Sequence, residues 1–250
     1  MGAHETEFLL REGKPRIAFR RNAGRGPAIV WCGGFRSDMA GEKASALHGW
    51  AQSEGRAFLR FDYSGHGESA GAFAEGVISS WLGDALAIID QAGGQTVLVG
   101  SSMGGWIALL AALQRPVKAL LLLAPAPDFT ERLMLPKFSQ EARRKLAEEG
   151  QLTIPSAYAP DDPTIITRAL IEDGRNHLLL DGQIAFAGPV RIIHGQADPD
   201  VPWRQSLILA EKLESADVAI HLRKDGDHRL SRPHDIAFMV ATLAELVSRL

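Results

Sequence analysis

The pentapeptide Gly100-Ser101-Ser102-Met103-Gly104 holds a serine between two glycines. A serine hydroxyl is a weak nucleophile at neutral pH until a base takes its proton. That base works best when an acid fixes its tautomer and stabilises its cation. Downstream, Gly195-Gln-Ala-Asp198-Pro-Asp200 and Lys224-Asp-Gly-Asp-His228 each follow an apolar run and supply an acid and a base. Ser102, Asp198 and His228 are therefore the expected nucleophile, orienting acid and general base of acyl transfer. Asp200 is the alternative acid, placed after Pro199 and two residues further from its run. His66 in Tyr63-Ser-Gly-His-Gly-Glu-Ser69 is the rival base. His194 and His221 fall inside apolar runs and read as packed or locally satisfied. His4, His48, His177 and His234 lie at the terminus, on helical segments or in the irregular middle of the chain. Asp225 and Asp227 read as turn formers beside His228.

A tetrahedral intermediate develops negative charge on oxygen, and backbone N–H groups aimed at it lower the barrier. The Met103 amide, opening a helix, is one expected donor. Gly33-Gly34-Phe35 supplies the other, with the Phe35 amide as the choice, because glycines let the main chain come close to the reacting carbonyl. This chemistry is expected to need no metal and no cofactor. A serine at this position argues against relatives whose nucleophile is a carboxylate. Gly65-His-Gly67-Glu-Ser-Ala70 matches a weak dinucleotide-binding spacing, but the sequence stays polar where that reading requires a helix to begin. Arg229 is a candidate contact for an anionic substrate group. Cys32, inside an apolar run, reads as a small buried hydrophobe.

These groups need elements to position them. Thr96-Val-Leu-Val99 before the pentapeptide reads as a strand, and Trp106-Ile-Ala-Leu-Leu-Ala-Ala-Leu113 after it as a helix apolar on nearly every side. Strand, tight turn and buried helix are the setting in which a Gly-x-Ser-x-Gly serine stands above a sheet. Around them, Phe8–Arg11 and Arg16–Arg20 flank a turn and predict an antiparallel hairpin. Strands are predicted at Ala28–Cys32, a continuous apolar run as expected for a strand covered on both faces, and at Arg56–Asp62, Val117–Pro125, Val190–Gly195 and Val218–Arg223. Helices are predicted at Glu42–Ser53, Val77–Gln91, Trp203–Leu213 and His234–Leu250. From Pro127 to about Gly188 the alternation stops. Helices around Gln140–Glu149 and Pro163–Glu172 occur there, with no strand of the central sheet, so 127–188 reads as a small inserted cap over Ser102. The expected fold is α/β, a single domain over 1–250 with a mostly parallel central sheet, helices on both faces and a leading antiparallel hairpin. Within the cap, Leu133, Met134, Leu135, Phe138, Leu152, Ile154 and Tyr158 are expected to line an acyl groove.

The chain has 250 residues, 46% hydrophobic and 23% charged, enough for one full α/β core. A net charge of -3 gives no electrostatic footprint for nucleic acid. One cysteine excludes an internal disulfide framework. No apolar run is long enough to cross a bilayer, so no integral membrane association is expected. The N-terminal residues show neither a secretion signal nor a transit-peptide bias, and a cytoplasmic protein is expected.

In chain order, Ser102, Asp198 and His228 follow the α/β-hydrolase arrangement. Longer matches narrow the resemblance: Phe61-Asp-Tyr-Ser-Gly, Gly100-Ser-Ser-x-Gly-Gly-Trp106, Arg115-Pro116, Pro155-Ser-x-Tyr158, Arg191-x-x-His-Gly195, Val201-Pro-Trp203 and Leu222-Arg-Lys-x-x-Asp-His-Arg229. From about Ala28 onward the chain resembles the α/β-hydrolase group containing a mitochondrial palmitoyl-protein thioesterase, also described as a mycophenolic acid acyl-glucuronide esterase. The resemblance implies a serine hydrolase that removes S-acyl groups from protein cysteines and cleaves acyl glucuronides, with the same three residues at the matching positions. Its partners would be a small acyl ester or thioester and S-acylated protein. Residue reading alone leaves open a carboxylesterase or monoacylglycerol-type lipase, and a catalytically silent binding module.

Overall fold

The structure, a computed structural model, describes residues 5–155 and 163–250. A hairpin of β1 (Glu7–Arg11) and β2 (Lys14–Asn22) leads the chain and joins the sheet antiparallel. Then β3 (Arg25–Cys32), α1 (Glu42–Ser53), β4 (Arg56–Phe61), α2 (Ile78–Ala92), β5 (Thr96–Ser101), α3 (Met103–Ala112) and β6 (Val117–Leu123) alternate. The pattern resumes with β9 (Val190–Gly195), α6 (Arg204–Lys212), β10 (Val218–Arg223) and α7 (Pro233–Ser248). The eight-stranded sheet has the order β1-β2-β4-β3-β5-β6-β9-β10 and is parallel from β4 onward.

Alternation of side chains explains why the inner strands are apolar throughout. In β5, Val97 and Val99 enter a core beneath α1 and α7, whereas Leu98 enters the core on the other face with α2 and α3. Successive strand residues point to opposite faces, so a doubly covered strand has no polar side to offer. The same burial makes α3 apolar all round; Trp106 and Ile107 are fully enclosed.

Between β6 and β9 the chain leaves the sheet. A π-helical turn (Thr130–Met134) leads to α4 (Gln140–Glu149), then β7 (Gln151–Ile154), β8 (Thr164–Thr167) and α5 (Arg168–Gly174). Thr164-Ile-Ile-Thr167, predicted as the start of a helix, is a strand that pairs with Gln151–Ile154 in a separate two-stranded sheet, and the helix begins only at Arg168. Thr167 then caps α5 by accepting the Leu170 amide at 3.1 Å. The β-branched run favours the pleated surface once a partner strand is at hand. This segment has a core of its own in Leu146, Leu152, Ile166 and Ile171. Trp106 Nε1 ties it to the main body by donating to His177 O at 3.0 Å, and within the segment buried Asp128 accepts the amides of Leu179 and Leu180 at 2.8 and 2.9 Å. No helix among the described residues is long and apolar enough to cross a membrane.

Candidate active site

Ser102 sits between β5 and α3 at φ 55 and ψ −119, a conformation that costs a residue with a Cβ about 1–3 kcal/mol. The turn is held from both sides, since the Ser102 amide donates to Leu123 O at 2.9 Å while its carbonyl accepts the Ala126 amide at 3.1 Å. It is possible only because α3 lies very close to the strands. A Cβ on Gly104 would fall on the carbonyl oxygens of Cys32 and Gly33, and one on Gly100 would fall on Gly104 O. Glycine at both places is a packing requirement.

The structure brings Asp198 and His228 to this serine. His228 Nε2 accepts from Ser102 Oγ at 3.0 Å, and Nδ1–H donates to Asp198 Oδ2 at 2.7 Å. Asp198 follows β9 and His228 follows β10, so both arrive at the strand ends where β5 delivers Ser102. The Asp198 side chain has no solvent exposure. Burial raises its pKa, but donated bonds from His194 and His228, the nearby imidazole and the Val201 amide outweigh it and hold the carboxyl well below the usual range. It enters the site as a carboxylate.

The rivals have other duties. Asp200 donates its amide to Asp198 Oδ1 at 2.8 Å and so supports the acid. His66 is buried; its Nδ1–H donates to Ser64 O and its Nε2 accepts the Arg36 amide, both at 3.2 Å. Burial lowers its pKa and keeps it neutral. Asp227 accepts the Leu230 amide at 2.9 Å, forming a turn beside His228, and Asp225 pairs with Arg232. Cys32 is buried, and burial pushes its thiol up to about 12.

The two expected oxyanion donors flank Ser102. Met103 is the first residue of α3, whose amide has no acceptor within the helix. On the other side Gly34 runs against the elbow, where a Cβ would meet Ser101 O at 3.4 Å and Ser102 Cβ at 3.5 Å, and Phe35 follows. Phe35 is fixed by edge-on packing to Phe73 and Trp81 at centroid distances of 5.0 and 5.8 Å. Arg36 next to it has φ 58, with its amide on His66 and its guanidinium on Pro163 O and Thr164 Oγ1 at 2.9 and 3.1 Å. The loop beside Ser102 is thus bonded both to the main body and to β8.

A cavity of about 820 Å³ contains Ser102, Met103, His228 and Phe35. Leu133, Met134, Phe138 and Ile154 from the 127–188 segment form its apolar wall. Leu152 instead lies in the segment's own core with Leu146, Ile166 and Ile171, and Leu135 packs against that core. Tyr158 lies outside the described residues. Among the described residues, Asp198, Asp200 and His228 are the one group close enough to share a metal ion, yet both His228 nitrogens are already committed.

Two groups have roles at the site that the sequence did not foretell. His194 Nε2 lies 3.3 Å from Asp198 Oδ2 and 3.1 Å from Val201 O, while its Nδ1 accepts from Ser206 Oγ at 2.6 Å. Asp198 therefore faces two imidazoles. Lys43, half-buried on the cavity wall, donates from Nζ to Ser101 Oγ at 3.0 Å and to Arg229 O at 2.6 Å. A lysine in the first turn of α1 opposes the helix dipole, and that was the available signal.

Comparison with known proteins agrees with this fold. The alpha/beta hydrolase family is matched over residues 29–237. The mouse protein named palmitoyl-protein thioesterase ABHD10, mitochondrial, is 40% identical over 248 residues, covering 97% of this chain and 82% of its own. Its human counterpart of the same name is 37% identical over 97% of this chain and 80% of its own. A crystal structure from Agrobacterium vitis S4 superimposes with a TM-score of 0.93 at 43% identity, covering 98% of this chain and all of the other. The alpha/beta hydrolase domain-containing protein 10 from mouse gives 0.90 at 38% identity over 98% and 99% of the two chains. These mammalian relatives are mitochondrial by name, which overturns the cytoplasmic location expected from the N-terminal residues.

Proposed function

The chain belongs to the alpha/beta hydrolase family, and from that premise we propose that it is a serine hydrolase cleaving acyl thioesters and esters, S-acyl groups on protein cysteines among them. The observation that carries the proposal is the unbroken relay from Asp198 through His228 to Ser102, with bonds of 2.7 and 3.0 Å at a strained elbow. Ser102 Oγ attacks the acyl carbon as His228 Nε2 takes its proton. The anionic Asp198 holds His228 in the required tautomer and stabilises the imidazolium. The Phe35 and Met103 amides receive the oxyanion. His228 then gives its proton to the departing thiol or alcohol. Water, deprotonated by the same imidazole, releases the acid. Residues 127–188 act as a cap, and their apolar side chains in the cavity receive the acyl chain. The names of the mouse and human relatives favour the thioester as substrate over an oxygen ester.

The test uses Ser102→Ala with a short acyl thioester and with a fluorophosphonate probe. Turnover is expected to fall by roughly 10⁴-fold or more, and labelling to disappear. Turnover within a few-fold of wild type, or no labelling of the folded wild-type protein, refutes the serine reading. Specificity constants for S-acyl-cysteine peptides, acyl glucuronides and monoacylglycerols then rank the substrates.

A further inference from the structure

Lys43 has no part in the relay, yet it shares the cavity with Ser102. Its Nζ has two acceptors, Ser101 Oγ at 3.0 Å and Arg229 O at 2.6 Å, and no third partner among the described residues. Three hydrogens or two hydrogens and a lone pair complete a lysine nitrogen. With two N–H groups held by these acceptors, the deprotonated amine has its lone pair in the remaining tetrahedral position. In that form the amine is a nucleophile. Both anchors belong to the site, since Ser101 precedes Ser102 and Arg229 follows His228.

We infer that Lys43 is an acylation site: its amine attacks the carbonyl carbon of an activated acyl thioester held in the cavity and retains the acyl group as an amide. A C–N bond forms, the C–S bond breaks, and the proton lost by the amine leaves on the thiol. No oxidant or further reactant is needed. The inference rests on the proposed function only in taking acyl thioesters as the cavity's ligands.

The surroundings supply the deprotonated form. Burial and then the Arg229 cation lower the pKa of Lys43 to about 8, against the opposing pull of Asp227, Asp198 and Glu42. Desolvation beside a second cation is an established way to make a lysine nucleophilic near neutral pH. At pH 8 about half of such lysines are free amines, whereas an ordinary exposed lysine near 10.4 has well under about 1% in that form. Acylation would also place the acyl chain in the cavity beside Ser102 and block it.

The experiment uses Ser102→Ala, which leaves the thioester intact, incubated with S-butyryl-N-acetylcysteamine. Peptide mapping by mass spectrometry follows the butyryl label on Lys43 and on the exposed Lys14, Lys145 and Lys224. At about pH 7.5 Lys43 is expected to label at least roughly tenfold faster than the exposed lysines, with its rate levelling off above about pH 8 while theirs keep rising. In the wild-type protein, turnover should fall in step with a Lys43 label that resists hydroxylamine, as an amide does and a seryl ester does not. Labelling of Lys43 no faster than the exposed lysines, or a rate that climbs through about pH 10, overturns the inference. Hydrolysis persisting in Ser102→Ala would refute the serine reading and leave the Lys43 rates as measured. Abolished hydrolysis without a Lys43 label would refute this inference alone.

Discussion

Asp198→Asn tests the relay at its most crowded point. The carboxylate faces four donors: Oδ1 accepts the amides of Asp200 and Val201 at 2.8 Å each, and Oδ2 faces the N–H groups of His228 at 2.7 Å and His194 at 3.3 Å. Asparagine has the same shape but only one acceptor oxygen. With its NH₂ toward the imidazoles, His228 must accept on Nδ1 and carry its hydrogen on Nε2, where it meets the Ser102 hydroxyl and cannot take its proton. That tautomer error is worth about 10⁴-fold in kcat, or roughly 5.5 kcal/mol. His194 loses the carboxylate at 3.3 Å and keeps only Val201 O at 3.1 Å as an acceptor for its Nε2–H. The flipped amide moves the conflict to Asp200 and Val201 and relieves nothing. Each buried donor left without an acceptor costs about 1–3 kcal/mol. For a chain of this size the melting temperature should fall on the order of 5–10 °C. The pH dependence adds a check of sign. Because the folded carboxyl is held below its unfolded value of about 3.9, its stabilisation is present above that pH and is lost as pH falls through the folded pKa. The stability gap between wild type and variant should therefore narrow in acid. Kinetics with a short acyl thioester and thermal unfolding at several pH values measure both effects. A variant within tenfold of wild type in kcat, or a gap that widens in acid, would falsify the assignment of Asp198.

Met134 lies on the apolar cavity wall, so Met134→Asp should flatten the dependence of kcat/KM on acyl length. Four added methylenes at about 0.8 kcal/mol each give wild type on the order of 100-fold. A flat wild-type series, or a slope unchanged by the new charge, would place the acyl chain elsewhere. Gly104→Ala should destabilise by about 3 kcal/mol and impair turnover, because its Cβ has to displace the Cys32 and Gly33 carbonyls beneath the elbow. A stable Gly104→Ala protein with wild-type kcat/KM would show that α3 can retreat from β3 without moving Ser102.

Where one element's pattern decides its own structure, the sequence was legible. The run Thr96–Val99 and the helix after Met103 could be read from burial on both faces, and the strand ends then placed Asp198 and His228. The 163–172 stretch was misread because Ile165, Ile166, Leu170 and Ile171 suit a helix as well as a strand followed by a helix. The partner that decides, Gln151–Ile154, is remote in sequence. β3 begins at Arg25, before Gly26 and Pro27, because Arg25 pairs with Arg56 ahead of an irregular register. His66 was recognised as a loop residue, but its bond to the Arg36 amide exists only when two loops meet. The partners of Lys43 and His194 were out of reach for the same reason, as they come from β5, from the loop after β10 and from α6.

The small closed core of Leu146, Leu152, Ile166 and Ile171 bears on how this protein could diverge. Those four side chains hold α4, β7, β8 and α5 together, and Leu133, Met134, Phe138 and Ile154 face the cavity from the same segment. Selection can therefore rewrite the wall that meets the acyl chain while the framework beneath Ser102, where even a methyl group on Gly104 has no room, is kept unaltered. Lineages that share this framework would be free to explore acyl preference within one contiguous stretch of gene.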